Sequence, residues 1–202
     1  MQILSKKSKE NVFEKALSLI QDKEKRNWVK KVLTTFPEYF WTQAASTTGK
    51  YHPNCVNVKS GLLIHTKRVT WFALIFIRAF GLESLDQDDI IAACILHDGW
   101  KGGKGCGERT TSYQNYLDHP ILVEKFYRQS FPEEKLENWQ QRIFDLIKYH
   151  MGPWTPDLVK KPLEKYSILE LSIYLADYFA SRKELRTKVD SFGDLKLEYE
   201  DV

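Results

Sequence analysis

The sequence predicts an all-α fold, a compact helical bundle, and two observations carry that expectation. Apolar residues recur at spacings of three and four along most of the chain, and no stretch offers a convincing strand alternation. Helix start and stop signals fall between these periodic stretches.

In chain order, the first periodic stretches are Val12 to Ile20 and Trp28 to Phe40. Leu62 to Phe80 follows, with Ser60 placed to cap a helix that runs to Gly81. Asp86 to Asp89 put acids at the positive end of the helix containing Ile90 to Leu96. Pro120, just after His119, suits the first helical position of Ile121 to Tyr127. Pro132 with Glu133 and Glu134 opens Leu136 to Tyr149, and Gly152-Pro153 closes it after His150. Leu163 to Leu185 completes the set. The irregular stretch is Gly99 to Gly107, GWKGGKGCG, which holds five of the ten glycines and reads as an unusually turned or mobile loop.

The 202 residues, 43% of them hydrophobic, suit one domain over 1–202, with residues 1–45 as an N-terminal helical extension and 60–185 as a metal-binding core. Such a chain buries roughly 70% of its unfolded surface, so it does not need a metal to fold. A metal would be there for chemistry. Net charge is only +3, although Met1 to Lys31 carries nine basic and four acidic residues. Its Lys and Glu are interleaved, which reads as a solvated helical face more readily than as a polyanion site.

Three cysteines, Cys55, Cys94 and Cys106, cannot all pair within the chain, and none forms C-x-x-C. A reduced, intracellular and cytoplasmic protein is expected. The start of the chain lacks the apolar core of a signal peptide, and WFALIFI ends at Arg78, far short of the ~20 residues of a membrane span. No membrane association is expected. Phosphate-loop, dinucleotide-loop and serine-hydrolase motifs all fail on spacing: Gly49-Lys50 is followed by Tyr51, and the glycines after Asp98 never form G-x-G-x-x-G. Cys106, near Lys104 and Arg109, has no visible general base.

The chemistry therefore rests on placement of the five histidines and one acid. His65 lies within the apolar GLLIHTKRV, His97 precedes Asp98 in AACILHDGWK, and His119 and His150 mark a helix start and a helix end. Asp177 sits in LSIYLADYFASR. Singly, each histidine reads as a satisfied core residue and Asp177 as a partner of Arg182 or Lys183. Together they point to a cation, because a buried carboxylate costs several kcal/mol unless compensated. Imidazole and carboxylate from separate helices are what Mn, Fe, Zn, Co and Ni accept. Neighbours on a regular helix point about 100° apart, so His97 and Asp98 share an ion only near a helix end, which Gly99 supplies.

With GLLIHT, ILHDGWK and YLADYFASR on the page, the sequence resembles the HD superfamily of metal-dependent phosphohydrolases, over Gly61 to about Arg182. His119 in DHPILVEKF and His150 in IKYHMGPW fall where dinuclear members place two further histidines. Among these the resemblance extends to diadenosine-polyphosphate hydrolases and to 3'→5' exonucleases with a GLL-x-HT motif. It implies that Asp98 bridges two divalent metals, with His65, His97 and Asp177 on one and His119 and His150 on the other. Mn or Fe suits these ligands, and Zn, Co, Ni or Mg is admissible. Many members read HD-I-G-K, where this chain has Gly99-Trp100-Lys101 after the doublet and so departs in the loop.

Two metals of this kind neutralise phosphoryl oxygens and turn a shared water into hydroxide near neutral pH. The expected reaction is hydrolysis of a phosphoester or phosphoanhydride bond in a small nucleotide or nucleotide-derived diester. Asp98 would orient the nucleophile or take its proton. Lys101 and Arg182 are candidates to hold phosphate, each with a plain solvent or ion-pair reading beside it. Trp154, Trp100 and Tyr149 offer faces for a base, with core packing the better reading for Tyr149. His52, in YHPNCV, reads as a supporting or surface residue. Rival readings are an exonuclease on short single strands, favoured by the basic start, a nucleotide-sensing module without turnover, and a helical interaction protein. Oligomeric state is not legible.

Overall fold

The computed structural model describes residues 11–46, 50, 52–82, 84–103, 113–185, 187–189 and 195–197. Met1 to Glu10 of the basic start, Gly49, Tyr51, Lys104, Cys106 and Arg109 lie outside them.

The all-α expectation holds. Eight α-helices are described: α1 (Glu14–Ser18), α2 (Lys23–Leu33), α3 (Glu38–Thr42), α4 (Gly61–Ala79), α5 (Ser84–Leu96), α6 (Tyr113–Ser130), α7 (Asn138–Lys148) and α8 (Ile168–Ala180). A short antiparallel ribbon of β1 (Thr187–Val189) and β2 (Leu195–Leu197) follows, pairing Lys188 with Lys196. The helical periodicity did not signal this ribbon.

Five boundaries differ from the sequence expectation, each for a local reason. Trp28 to Phe40 is two helices, because Pro37 cannot continue the ladder and becomes the N-cap of α3. Ser60 precedes α4 in a left-handed conformation, φ 61°, and its hydroxyl donates to the Trp41 carbonyl at 3.0 Å instead of capping. Pro120 lies inside α6, well past the helix start. Glu137, reciprocated by Gln140, caps α7, whereas Pro132 to Glu134 form a turn. The last apolar stretch is helical only from Ile168, where Ser167 and Glu170 form a capping box.

One apolar cluster joins the N-terminal helices to the rest, through Phe13, Leu17, Val29, Phe40, Ile91 and Ile173. The α4 and α8 helices run against each other over much of their length, and α5 packs on both. Arg68, fully buried, fastens the far end of this pair by donating to the carbonyls of Ala180 (2.9 Å) and Leu185 (3.0 Å). Those carbonyls lie at or beyond the negative end of α8, where a guanidinium is favoured.

Asp88 and Asp89 do more than begin a helix. Asp88 accepts from the backbone N–H of Gln21 (2.8 Å) and Asp22 (2.9 Å), and Asp89 pairs with Lys25 at 2.7 Å and with Arg142. These buried acids pin α2 onto α5. Among the described residues no helix is long and apolar enough to cross a membrane.

Candidate metal centre

Helix α4 is apolar along its length, so His65 enters the interior with it and is 1% exposed. Its long partner α8 brings Asp177 opposite, with His65 Nε2 3.0 Å from Asp177 Oδ1. Helix α5 ends at Leu96, so His97 and Asp98 sit in the turn beyond it, where Gly99 N–H donates to the Leu96 carbonyl. That helix end lets the two adjacent side chains face one centre. Gly99 is required by packing, because a Cβ there would overlap the Phe36 ring.

Asp98 stands between two groups of histidines. Its Oδ2 lies 3.5 Å from His65 Nε2 and 3.4 Å from His97 Nε2, and its Oδ1 lies 3.1 Å from His119 Nε2 and 3.8 Å from His150 Nε2. His119 comes from α6 and His150 from just beyond α7, and their Nε2 atoms are 2.9 Å apart. His52 was set aside in the sequence as a supporting residue. It is half-buried with its ring 5.6 Å from that of His65, so all five histidines gather here. Only its local Pro-flanked context was visible in sequence, and that does not reveal its partner.

The tautomers follow from the backbone. His97 Nδ1 lies 2.8 Å from the Cys94 carbonyl and His150 Nδ1 lies 2.7 Å from the Ile147 carbonyl. A carbonyl only accepts, so each Nδ1 carries a proton, and in the neutral ring this leaves the Nε2 lone pair facing inward, the form in which histidines bind metals. Burial, then the neighbouring His119 and His97, holds His150 down at about 3. Burial likewise lowers His65, and it lowers His52 to about 3 with help from His65 and Lys101. Burial opposes charge on Asp98, yet Lys101 and His97 hold it well below the usual carboxylate range. Asp177 is also held low against its burial, by His65 first. For His97, burial is outweighed by Asp98 and Asp177, and its pKa rises.

Three of these buried atoms form no hydrogen bond: His65 Nε2, His97 Nε2 and Asp98 Oδ1. Ordinary interiors satisfy such atoms. His65, His97 and Asp177 form one set of ligand atoms that can hold a metal ion, and His97, Asp98 and His150 form another, each within 4.8 Å. A divalent cation accepts these lone pairs, so the donor set fits the group.

The remaining candidates sit as follows. Lys101 turns inward, its Nζ 2.6 Å from Asp98 Oδ2, and compensates the carboxylate it was expected to overlook from the mouth. Trp100 is partly buried and packs on Phe126 with ring centroids 3.9 Å apart. Trp154 is exposed in the turn after His150. Arg182 lies over Tyr178 at 4.4 Å and donates to Ser181 Oγ.

A helical protein whose buried His and Asp side chains can hold a divalent metal is the class defined so far. The family model for the HD domain matches residues 62–182, more than half of the chain. The chain belongs to the HD-domain family, whose members are generally metal-dependent phosphohydrolases. Comparison with curated proteins and with solved structures found no match.

Proposed function

We propose that this protein is a metal-dependent phosphohydrolase that cleaves a phosphoester or phosphoanhydride bond of a small nucleotide. In this reading His65, His97 and Asp177 hold one divalent ion, His119 and His150 hold a second, and Asp98 serves both. The observation that carries it is the division of the Asp98 carboxylate, one oxygen toward His65 and His97, the other toward His119 and His150. Mn or Fe(II) suits six ligands drawn from imidazole and carboxylate.

Bound ions would supply Lewis acidity toward phosphoryl oxygens and a nucleophile at neutral pH. The chain's own part is to hold the ligands deprotonated, which burial does for His65 and His150, and Lys101 with His97 do for Asp98. Lys101 is also placed to neutralise charge next to the reacting phosphoryl group. Arg182, beside the ligand Asp177 on the chain, is the candidate for a neighbouring phosphate.

Three described charges of the basic start favour a small substrate over a polymer. Lys25 is committed to Asp89, Arg26 donates to the Ile20 carbonyl at 3.0 Å, and Lys31 pairs with Glu134. These charges are engaged within the fold. The test is hydrolysis across mono- and triphosphates, dinucleoside polyphosphates, cyclic dinucleotides and short oligonucleotides after reconstitution with Mn or Fe(II). Turnover lost in Asp98→Ala supports the reading, and an unchanged rate in that variant overturns it. Metal retained without any turnover shifts the reading to a sensing module.

A further inference from the structure

Among the described candidate ligands, Asp177 is the one that reaches the surface. Asp177 has 22% of its side chain exposed, whereas the side chains of His65, His97, Asp98, His119 and His150 are at most 4% exposed. The face of α8 around Asp177 is therefore one side from which a substrate can reach the centre. On that face Tyr174 lies three residues before Asp177 and four before Tyr178, a helical spacing that places the two tyrosines side by side, and Arg182 follows just past the end of α8.

Their arrangement is specific. The rings of Tyr174 and Tyr178 are 5.9 Å apart at an interplanar angle of 47°, and both are half-buried. Arg182 places its guanidinium carbon 4.4 Å from the Tyr178 centroid. The tyrosines continue to Tyr166 at 6.4 Å from Tyr174, and from there to Tyr149 at 5.5 Å, next to His150. Gly152 has φ 57°, and a Cβ there would strike the Tyr174 ring, so the turn after His150 is shaped around that tyrosine. Tyr166 holds the same turn by donating to the Gly152 carbonyl at 3.3 Å.

We infer that Tyr174, Tyr178 and Arg182 form a recognition face beside the metal centre for a nucleoside polyphosphate: its base stacks on the tyrosines and a phosphoryl group beyond the scissile one meets Arg182. This rests on the phosphohydrolase reading of the same site and names its substrate class. Aromatic faces stack on any base. A guanidinium that lies over an aromatic ring can keep the edge of its fork for phosphate. The second cation near the tyrosines, Lys161, lies 5.0 Å from the Tyr149 centroid but is bonded to Glu170 at 2.6 Å. The charge on this face therefore suits one additional phosphate and does not form a track for a polymer backbone.

The experiment compares ATP, AMP and inorganic tripolyphosphate on the Mn-reconstituted full chain. Tyr178→Ala and, separately, Tyr174→Ala are expected to lower the ratio of kcat/KM for ATP to that for tripolyphosphate at least about 5-fold, and Tyr178→Phe to restore it. Arg182→Ala is expected to raise KM for ATP more than KM for AMP. Equal losses on ATP and tripolyphosphate in the tyrosine variants, or no change, overturn the inference. If the wild-type chain turns over none of the three, the phosphohydrolase reading fails, and ATP binding followed by intrinsic fluorescence decides the face by itself. Saturable quenching that Tyr178→Ala abolishes and Tyr178→Phe retains upholds it, and absence of ATP binding overturns it.

Discussion

Residues 62–182 and residues 11–46 do different work on the same centre. The first region carries every side chain of the His and Asp cluster except His52 and coincides with the family match. The second carries no ligand, yet it braces both walls of the centre. Phe36 packs on Gly99 beside Asp98, and the Gly102 N–H donates to the Tyr39 hydroxyl at 2.9 Å, holding the loop that bears Lys101. The Gln43 carbonyl accepts from Leu62 N–H at 3.0 Å at the start of the His65 helix. Chemistry and its placement are divided between the regions, so the family boundary is not the boundary of the folding unit.

The largest expected effect breaks the comparison outright. Deleting residues 1–46 removes Phe13, Leu17, Ile20, Val29, Val32 and Phe40 from the shared core. At about 1.5–3 kcal/mol per buried side chain, this loss rivals a whole domain's stability of about 5–15 kcal/mol. The truncated chain should lack cooperative thermal unfolding by circular dichroism. If 1–46 were a mere appendage, the remainder would melt like the full chain. Asp98→Ala should do the reverse, abolishing turnover and Mn retention while leaving the helical spectrum intact, as checked by kinetics and metal analysis.

Acidification probes the ligand region alone. His150 is held at about 3 by burial, below the ~6.5 of an unfolded histidine, so the unfolded chain takes up its proton first. The stability this contributes is full above pH ~6.5 and is lost toward pH ~3, with a slope of about 1.4 kcal/mol per pH unit. His65 and His52 act in the same direction and His97 opposes. In chelator, the urea midpoint should fall between pH 7 and pH 5.

Two smaller changes test the brace. Gly99→Ala should cost about 1–3 kcal/mol by overpacking against Phe36 and should lower kcat, with Phe36→Leu partly restoring both. Tyr39→Phe removes the acceptor of a buried N–H, worth about 1–3 kcal/mol. A fall in kcat with KM unchanged would mark it as a positioning residue, whereas a change in Tm alone would confine its role to stability.

What could be read from sequence follows the same division. The cluster residues were legible because their types are costly in apolar helices, and because His97-Asp98 stands where Gly99 ends a helix. The brace was not. Phe36, Tyr39 and Gln43 act through backbone groups and ring contacts some 20 to 60 positions away in sequence, which local periodicity does not encode. Asp88 and Asp89 looked like ordinary first-turn acids, since their partners, the Gln21 and Asp22 N–H groups for Asp88 and Lys25 with Arg142 for Asp89, are equally distant. Pro120 misled for a related reason: a proline is favoured at a helix start but can be held inside a helix by packing.

The buried Arg68 sits three residues beyond His65, and its anchor Ala180 sits three residues beyond Asp177. The tie and the ligand pair are therefore successive rungs between the same two helices. The gap in which the proposed ion would sit is gauged by a rung that is itself fully buried. Replacing that planar fork with lysine would change the gauge without touching the centre, and such a variant would pass for a ligand mutant in any assay that reads metal affinity alone.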